Sequence, residues 1–365
     1  MFKNEIVLVD TDELTRPASL VDVGAIADAF AADYAFADYR SRKADNTKRS
    51  QAADLAMFAR FLVTKLRLRL PTDLQLYLEG DEDAGGVEPY TLWARKFMRD
   101  REAWIGMSWG TVQAFVNWQL EQGYALATIN HRLSTLKRYS KLAYKAGALN
   151  FEQYSNIKNV EGYGGQEGKH VDEAREVTRV GHKKAQSVPL TVDQAKALKT
   201  HPDTPQGRRD ALLMCLLIDH GLRVGEVVLL KATDFDLKAG KLVFDRPKVD
   251  LTQTHKLTAD TLRAVRAWLD SGDCPAMGPL FRGSRKGGAL TAAGLSERSA
   301  SERVRELGER LGVQGLSAHD CRHYWATYWA GRVDLFRLQE AGGWKSLTMP
   351  RHYTDWAKIA NEGMA

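Results

Sequence analysis

Long stretches in which apolar residues recur every three or four positions alternate along this chain with short polar breaks, the mark of helices that each bury one stripe. "SLVDVGAIADAFAADYAFADY" is the first such stretch, and Ser19 stands where a helix cap belongs. The basic run "RSRKADNTKRSQ" follows and reads as a hinge or a phosphate-contacting arm. Helical spacing resumes in "QAADLAMFARFLVTKLRL", "TVQAFVNWQLEQGY" and "ATINHRLSTLKRYSKLAYKAGAL", with Gly123 placed to close the second of these and Thr128 to cap the third. On that third helix Ile129, Leu133, Leu136 and Leu142 form the core stripe, while Asn130, Arg132, Lys137, Arg138, Lys141 and Lys145 lie elsewhere on the cylinder. A basic face of this kind suits docking on DNA phosphates, although on this helix alone a solvated lysine-rich surface is the favoured reading.

Between residues 159 and 187 the periodicity disappears into a segment rich in glycine and charge, which reads as an interdomain linker whose basic end, Arg179 to Lys184, could follow a DNA backbone. Helical spacing returns at "VPLTVDQAKALK", where Thr191 is the cap, and continues to the end with one interruption. In "DFDLKAGKLVFDRPKVDLTQTHKLTAD" a turn at Ala239–Gly240 precedes β-type residues at Leu242 to Phe244 and a second strand at Thr252 to Leu257. The expected architecture is mainly α with a small antiparallel β-sheet in the C-terminal domain. Its parts are an N-terminal extension (1–45), a helical domain (46–158), the linker (159–187) and a C-terminal domain (188–365).

Composition narrows the partners. With 365 residues, 44% hydrophobic and 27% charged, the chain can support two cores. No run approaches the roughly 20 apolar residues of a membrane span. The start "MFKNEIVLVDTDEL" puts acids where a signal peptide needs a basic and then an apolar stretch, so a cytoplasmic protein is expected. Cys215, Cys274 and Cys321 are scattered and odd in number, which reads as reduced thiols rather than a disulfide framework. A net charge of +6 and a pI near 9.0 favour a polyanionic partner.

Four segments of the C-terminal domain place cationic or nucleophilic groups at structural boundaries. In "DHGLRVGEVVLL", Gly221 ends an apolar helix and puts Arg223 at the entrance of the next, where free N–H groups favour an anion, with Glu226 one turn on as its structural partner. In "RPKVD", Lys248 sits at a hairpin tip, able to swing toward a groove or simply to be solvated. In "LSAHDCRHYWATYWAG", Ser317 and Asp320 form a capping pattern that brings His319 and Arg322 to the positive end of a helix. His319 and His323 share a face, but Cys321 points away from it and no second ligand pair has metal spacing, so a phosphate clamp fits better than zinc. In "GGWKSLTMPRHYTDW", Trp344 and Tyr353 flank a turn containing Pro350, and taken alone Tyr353 reads as a core aromatic.

The order and spacing of these four segments resemble the tyrosine recombinase (phage integrase) family: an arginine in "GLRVGE", a hairpin lysine, "HDCRH", then "GGWKSLTMPRHYTD". "FVNWQLEQGYALATINHRLSTLKRYSKLA" looks like that family's helical core-binding domain, and the likeness runs over roughly residues 46 to 360. Trp344 stands where many members have histidine, and Cys321 replaces a usual apolar residue. The resemblance implies a two-domain DNA clamp that carries out site-specific strand exchange through a 3′-phosphotyrosyl intermediate, without metal or ATP. It implies that Tyr353 is the nucleophile, Arg223 and Arg322 grip the phosphate, and Lys248 protonates the leaving 5′-oxygen. It further implies that His319 handles the tyrosine proton or holds the phosphate, Trp344 donates its indole N–H to the phosphate, and Glu226 and His323 orient these groups. The implied partners are a double-stranded recombination site, other copies of the chain in a tetramer on paired sites, and accessory DNA-bending proteins, with no membrane. A nucleoid location follows from those partners. Arg132, Lys137, Arg138 and Lys141 are the expected DNA contacts of the helical domain. Type IB topoisomerase-like relaxation and a catalytically silent DNA-binding module are the competing readings; a metal-dependent nuclease would need clustered acids that these motifs lack.

Overall fold

The computed structural model describes residues 19–77, 87–180, 186–285 and 287–354. The chain divides into two compact units, residues 1–183 and 184–365, and each has its own apolar core.

Among its described residues the first unit is built on helices and has no strand: α1 (Leu20–Ser41), α2 (Asp45–Thr64), α3 (Pro89–Arg99), α4 (Trp109–Glu121), α5 (Leu126–Lys145), α6 (Phe151–Lys158) and α7 (Gly165–Glu173). Ser19 caps α1 through its hydroxyl, which accepts the Asp22 N–H. Only Phe36 of α1 is buried, its ring 6.3 Å from that of Tyr139 on α5. The basic run after α1 is not a free arm: from Asp45 onward it forms the first turns of α2. The stripe on α5 lies where the spacing puts it, with Ile129, Leu133, Leu136 and Leu142 all buried. Thr128 does not cap that helix, because α5 begins two residues earlier, at Leu126, after an Ala125 cap that offers no side-chain bond. Apolar contact of Leu126 with the core compensates for the missing hydroxyl.

The segment expected to lack periodic structure carries α7, and what orders it is tertiary. The Asn130 amide donates to the Tyr163 carbonyl at 2.5 Å and accepts the Tyr163 N–H at 2.9 Å, while Arg175 donates to the Tyr124 carbonyl at 3.0 Å. Of the basic end of this segment, Arg179 to Lys184, the residues from 181 onward lie outside the described residues.

The second unit contains α8 (Val192–Ala197), α9 (Pro205–Asp219), α10 (Val224–Val227), α11 (Ala259–Leu269), α12 (Glu297–Arg310), α13 (Ala318–Ala330), α14 (Leu335–Gly342) and α15 (Thr348–Thr354). Strands β1 (Phe235–Asp236), β2 (Lys241–Arg246) and β3 (Leu251–Lys256) make an antiparallel sheet in that order, with Lys241 opposite Lys256 and Arg246 opposite Leu251. A second antiparallel pair, β4 (Arg282–Ser284) and β5 (Leu290–Gly294), has no counterpart in the sequence reading; three residues beside "GSRKGG" are too few to show a period. Pro350 lies inside the first turn of α15 rather than in a turn before it, as proline's fixed φ allows, so Tyr353 stands near the end of that short helix.

Candidate active site

Backbone geometry at two glycines sets the entrance to the site. Gly221 ends α9 with φ +61°, and a Cβ there would run into the Trp325 ring. Gly343 caps α14 in the left-handed region at φ +59°, and a Cβ there would come within 2.5 Å of the Arg246 side chain. Only glycine meets both demands at once.

The turn after Gly221 carries Arg223. The main-chain N–H of Arg223 donates to Glu226 Oε2 at 2.9 Å, and its Nη1 donates to Glu226 Oε1 at 2.7 Å. The helix entrance is therefore not an open anion site, as the spacing alone implies: the Glu226 carboxylate closes it as a capping box. What remains for an anion is the outward part of the Arg223 guanidinium, whose side chain is 28% exposed.

Arg322 comes from α13, whose start is fixed by the Ser317–Asp320 capping box, with Asp320 also accepting the Val188 N–H at 3.0 Å. Its guanidinium is buried under Trp344, 4.8 Å from that ring, and donates to the carbonyls of Gly221 and Gly342, the latter at 2.6 Å. Burial, with repulsion from Arg223 and Arg246, pushes its pKa down to about 9. A cation held at such cost favours a site that receives an anion.

Tyr353 is 5% exposed and packs in the cluster of Trp325, Ala326, Ala330 and Leu338. Its ring lies 5.8 Å from Trp344 and 5.2 Å from His323, which is itself 4.5 Å from His319. Burial raises the phenol pKa while Arg322 and Arg223 pull it down, so the hydroxyl lies within the field of both arginines. Burial also lowers the His319 pKa, helped by His323 and Arg322, which keeps that imidazole neutral and able to accept a proton. A cavity of about 400 Å³ adjoins Tyr353, lined by Val188, Leu190, His323, Tyr324 and Tyr328 among others.

Arg223, Glu226, His319, Arg322, His323, Trp344 and Tyr353 are thus brought together, but Lys248 is not among the packed side chains. It stands exposed at the tip between β2 and β3, two residues beyond Arg246. Arg246 is the residue the sequence reading missed. It is fully buried and donates to Glu226 Oε2 at 2.8 Å. The available signal was the strand alternation itself, which puts Arg246 on the inward face with Leu242 and Phe244.

On α5 the four expected DNA contacts separate. Arg138 and Lys141 are exposed and Lys137 is half-buried. Arg132 is committed within the protein: it donates to Gln119 at 3.0 Å and covers the Tyr124 ring at 4.3 Å. About two and a half turns of helix separate Arg132 from Lys141, so they point to opposite sides and cannot face one backbone. Among the described residues no group of three or more His, Cys, Asp or Glu side chains could hold a metal ion, and no helix is long and apolar enough to cross a membrane.

Residues 189–359 match the Phage integrase family. The tyrosine recombinase XerC of Xylella fastidiosa strain M23 is 26% identical over 253 residues, which is 68% of this chain and 77% of that protein. The XerC of Chlamydia muridarum is 25% identical over 331 residues, 88% of this chain and 92% of its own length. Among solved structures, the XerH site-specific recombinase bound to a palindromic difH substrate in a post-cleavage complex shares the fold, with a TM-score of 0.55 at 20% identity over 84% of this chain and 94% of that one. Residues 189–359, most of the second unit, form a domain of the phage integrase family.

Proposed function

We propose that this protein is a site-specific DNA recombinase that cuts and rejoins strands through a phosphotyrosine. The observation that carries the reading is the convergence of Arg223, Arg322, Trp344, His319 and His323 on Tyr353, with three guanidinium groups around the single Glu226 carboxylate. Such an excess of fixed positive charge beside a nucleophile suits a phosphodiester, whose charge grows at the pentacoordinate stage. In the first step the Tyr353 oxygen bonds to phosphorus and the bond to the 5′-oxygen breaks. The tyrosine proton passes to neutral His319, and the 5′-oxygen takes a proton from Lys248 swinging in from the hairpin tip. The 3′-phosphotyrosyl link conserves the energy of the broken bond, and a 5′-hydroxyl from another strand reverses the step.

In this reading residues 188–365 are the catalytic domain and 46–158 the core-binding domain, joined through 159–187, and residues 1–45 remain without an assigned role. Lys137, Arg138 and Lys141 of α5 meet DNA phosphates. Strand exchange between two sites calls for self-association, a tetramer on paired DNA, and accessory DNA-bending proteins are natural partners. A nicked duplex from which the freed 5′ fragment diffuses away tests the reading: wild type should accumulate a covalent protein–DNA adduct, and Tyr353→Phe should bind the same DNA and form none. Adduct from the Phe variant would move the nucleophile to Tyr324 or Tyr328.

A further inference from the structure

Glu226 is 4% exposed and serves two arginines, one on each oxygen: Arg223 Nη1 at 2.7 Å from Oε1, and Arg246 Nη1 at 2.8 Å from Oε2. The other donors of Arg246 reach two more segments. Its Nη2 donates to the Ala341 carbonyl at 3.0 Å, in the last turn of α14 before Gly343 and Trp344, and its Nε donates to Gln253 on β3 at 2.5 Å. A fully buried guanidinium at an inward sheet position that Leu242 and Phe244 fill elsewhere is costly unless every nitrogen finds an acceptor, and here each one does. The same side chain therefore touches the partner of Arg223 and the turn leading to Trp344, and it stands two residues before Lys248 at the hairpin tip.

Charge gives this arrangement a consequence for the reaction. A carboxylate alone with one arginine takes it in both oxygens and neutralises it. With Arg246 on Oε2, only Oε1 is left to the Arg223 guanidinium, and the trio keeps a net positive charge to meet a phosphate. We propose that Arg246 is a positioning residue that keeps Arg223 available to the scissile phosphate by sharing the Glu226 carboxylate. It also ties the Lys248 hairpin to the turn before Trp344. This rests on the recombinase reading above and deepens it.

The test measures single-turnover adduct formation at saturating nicked DNA for wild type, Arg246→Met, Arg246→Lys and the double variant Arg246→Met with Glu226→Gln. Each is run on an ordinary scissile phosphate and on a neutral methylphosphonate in its place. On the ordinary phosphate Arg246→Met should be slower by about 100-fold, the scale of removing one electrostatic donor. On the methylphosphonate, which asks less of the cations, that ratio should shrink by about tenfold or more. Adding Glu226→Gln should return about tenfold of the loss, since Arg223 is then released from a full carboxylate. Arg246→Lys, which keeps a charge for Glu226 but cannot span Ala341 and Gln253, should fall between wild type and Arg246→Met with the same substrate dependence, and carries the comparison alone if the methionine variant does not fold. Equal defects on both substrates with no recovery in the double variant would show Arg246 to be a support of the fold only. Adduct from wild type with an unchanged rate in Arg246→Met or Arg246→Lys sinks this proposal alone, whereas no adduct from wild type sinks the recombinase reading and this proposal with it.

Discussion

On α5 of the first unit, Arg138 and Lys141 stand exposed, turned away from the stripe of Ile129, Leu133 and Leu136 that the same helix buries. In the second unit, Arg246 and Arg322 are buried, and their donors reach backbone carbonyls 95 and 101 residues away in the chain. The first pair of cations is placed by the local period of one helix and needs no partner to exist. The second pair exists only because distant segments supply acceptors, and a buried charge without them would shift or expel the side chain. Exposed cations can give a protein affinity for a polyanion; buried and bonded ones give it a fixed geometry at one phosphate.

The largest expected effect that sharpens this contrast falls on Lys248, which is exposed like the α5 cations but is assigned a role at the reacting bond. Lys248→Ala should slow cleavage by roughly 10²–10⁴, the usual range for loss of a general acid. A 5′-bridging phosphorothiolate, whose sulfur leaves without a proton, should restore much of that rate. Equal defects on both substrates would move the role to Lys256 or His319.

The contrast extends to histidines. Buried His220 and half-buried His255 are stacked 5.6 Å apart in the second unit, with the His220 Nε2 3.1 Å from the Thr261 hydroxyl. Burial pushes the pKa of His220 down to about 4, and burial together with His220 and Arg246 pushes that of His255 down to about 3. Because both folded values lie below the ordinary 6.5, the unfolded chain binds more protons at low pH. The stability these two groups contribute is present above pH 6.5 and lost as pH falls through about 4 and then 3, each histidine giving up roughly 1.4 kcal/mol for every whole pH step between its unfolded and folded values. Denaturant unfolding of wild type and of His220→Gln with His255→Gln across pH 4 to 7 should give a shallower decline for the variant. Parallel curves would mean that the pair titrates normally.

The smallest effect belongs to α5. Each phosphate that the protein no longer neutralises should lower the slope of log K against log salt by about 0.9. Lys137, Arg138 and Lys141 replaced together by alanine should flatten the slope measured from low to moderate salt, while Arg132→Ala, already bonded to Gln119, should leave it unchanged and act on folding instead. An unchanged slope for the triple variant would give this face to solvent or to a neighbouring copy.

Much of the site was legible because its pieces are local. Ser317 with Asp320 and Arg223 with Glu226 are each three residues apart, and both pairs form the contacts that spacing implies. Tyr353 was legible by its distance from the Gly-Trp element, although its own surroundings read as core and its side chain is indeed packed there. Arg132 misled because period alone cannot tell a solvated guanidinium from one laid over Tyr124. The helix at Gly165–Glu173 was hidden for a related reason, since its glycines and charges carry little propensity and Tyr163 and Arg175 anchor it from outside.

The sequence by itself determined most of the helices, the caps at Ser19, Thr191 and Ser317, the β2–β3 hairpin and the types of residue available for phosphoryl transfer, because a few consecutive dihedrals and an apolar stripe are enough to specify each of them. Only the tertiary structure decided that Glu226 would be shared, that the inward-facing Arg246 would find acceptors for its nitrogens there, and that Arg322 would seal the turns at Gly221 and Gly342. Those outcomes depend on carbonyls and carboxylates brought from distant parts of the chain, and the stability of a buried charge is set by what surrounds it rather than by its neighbours in sequence.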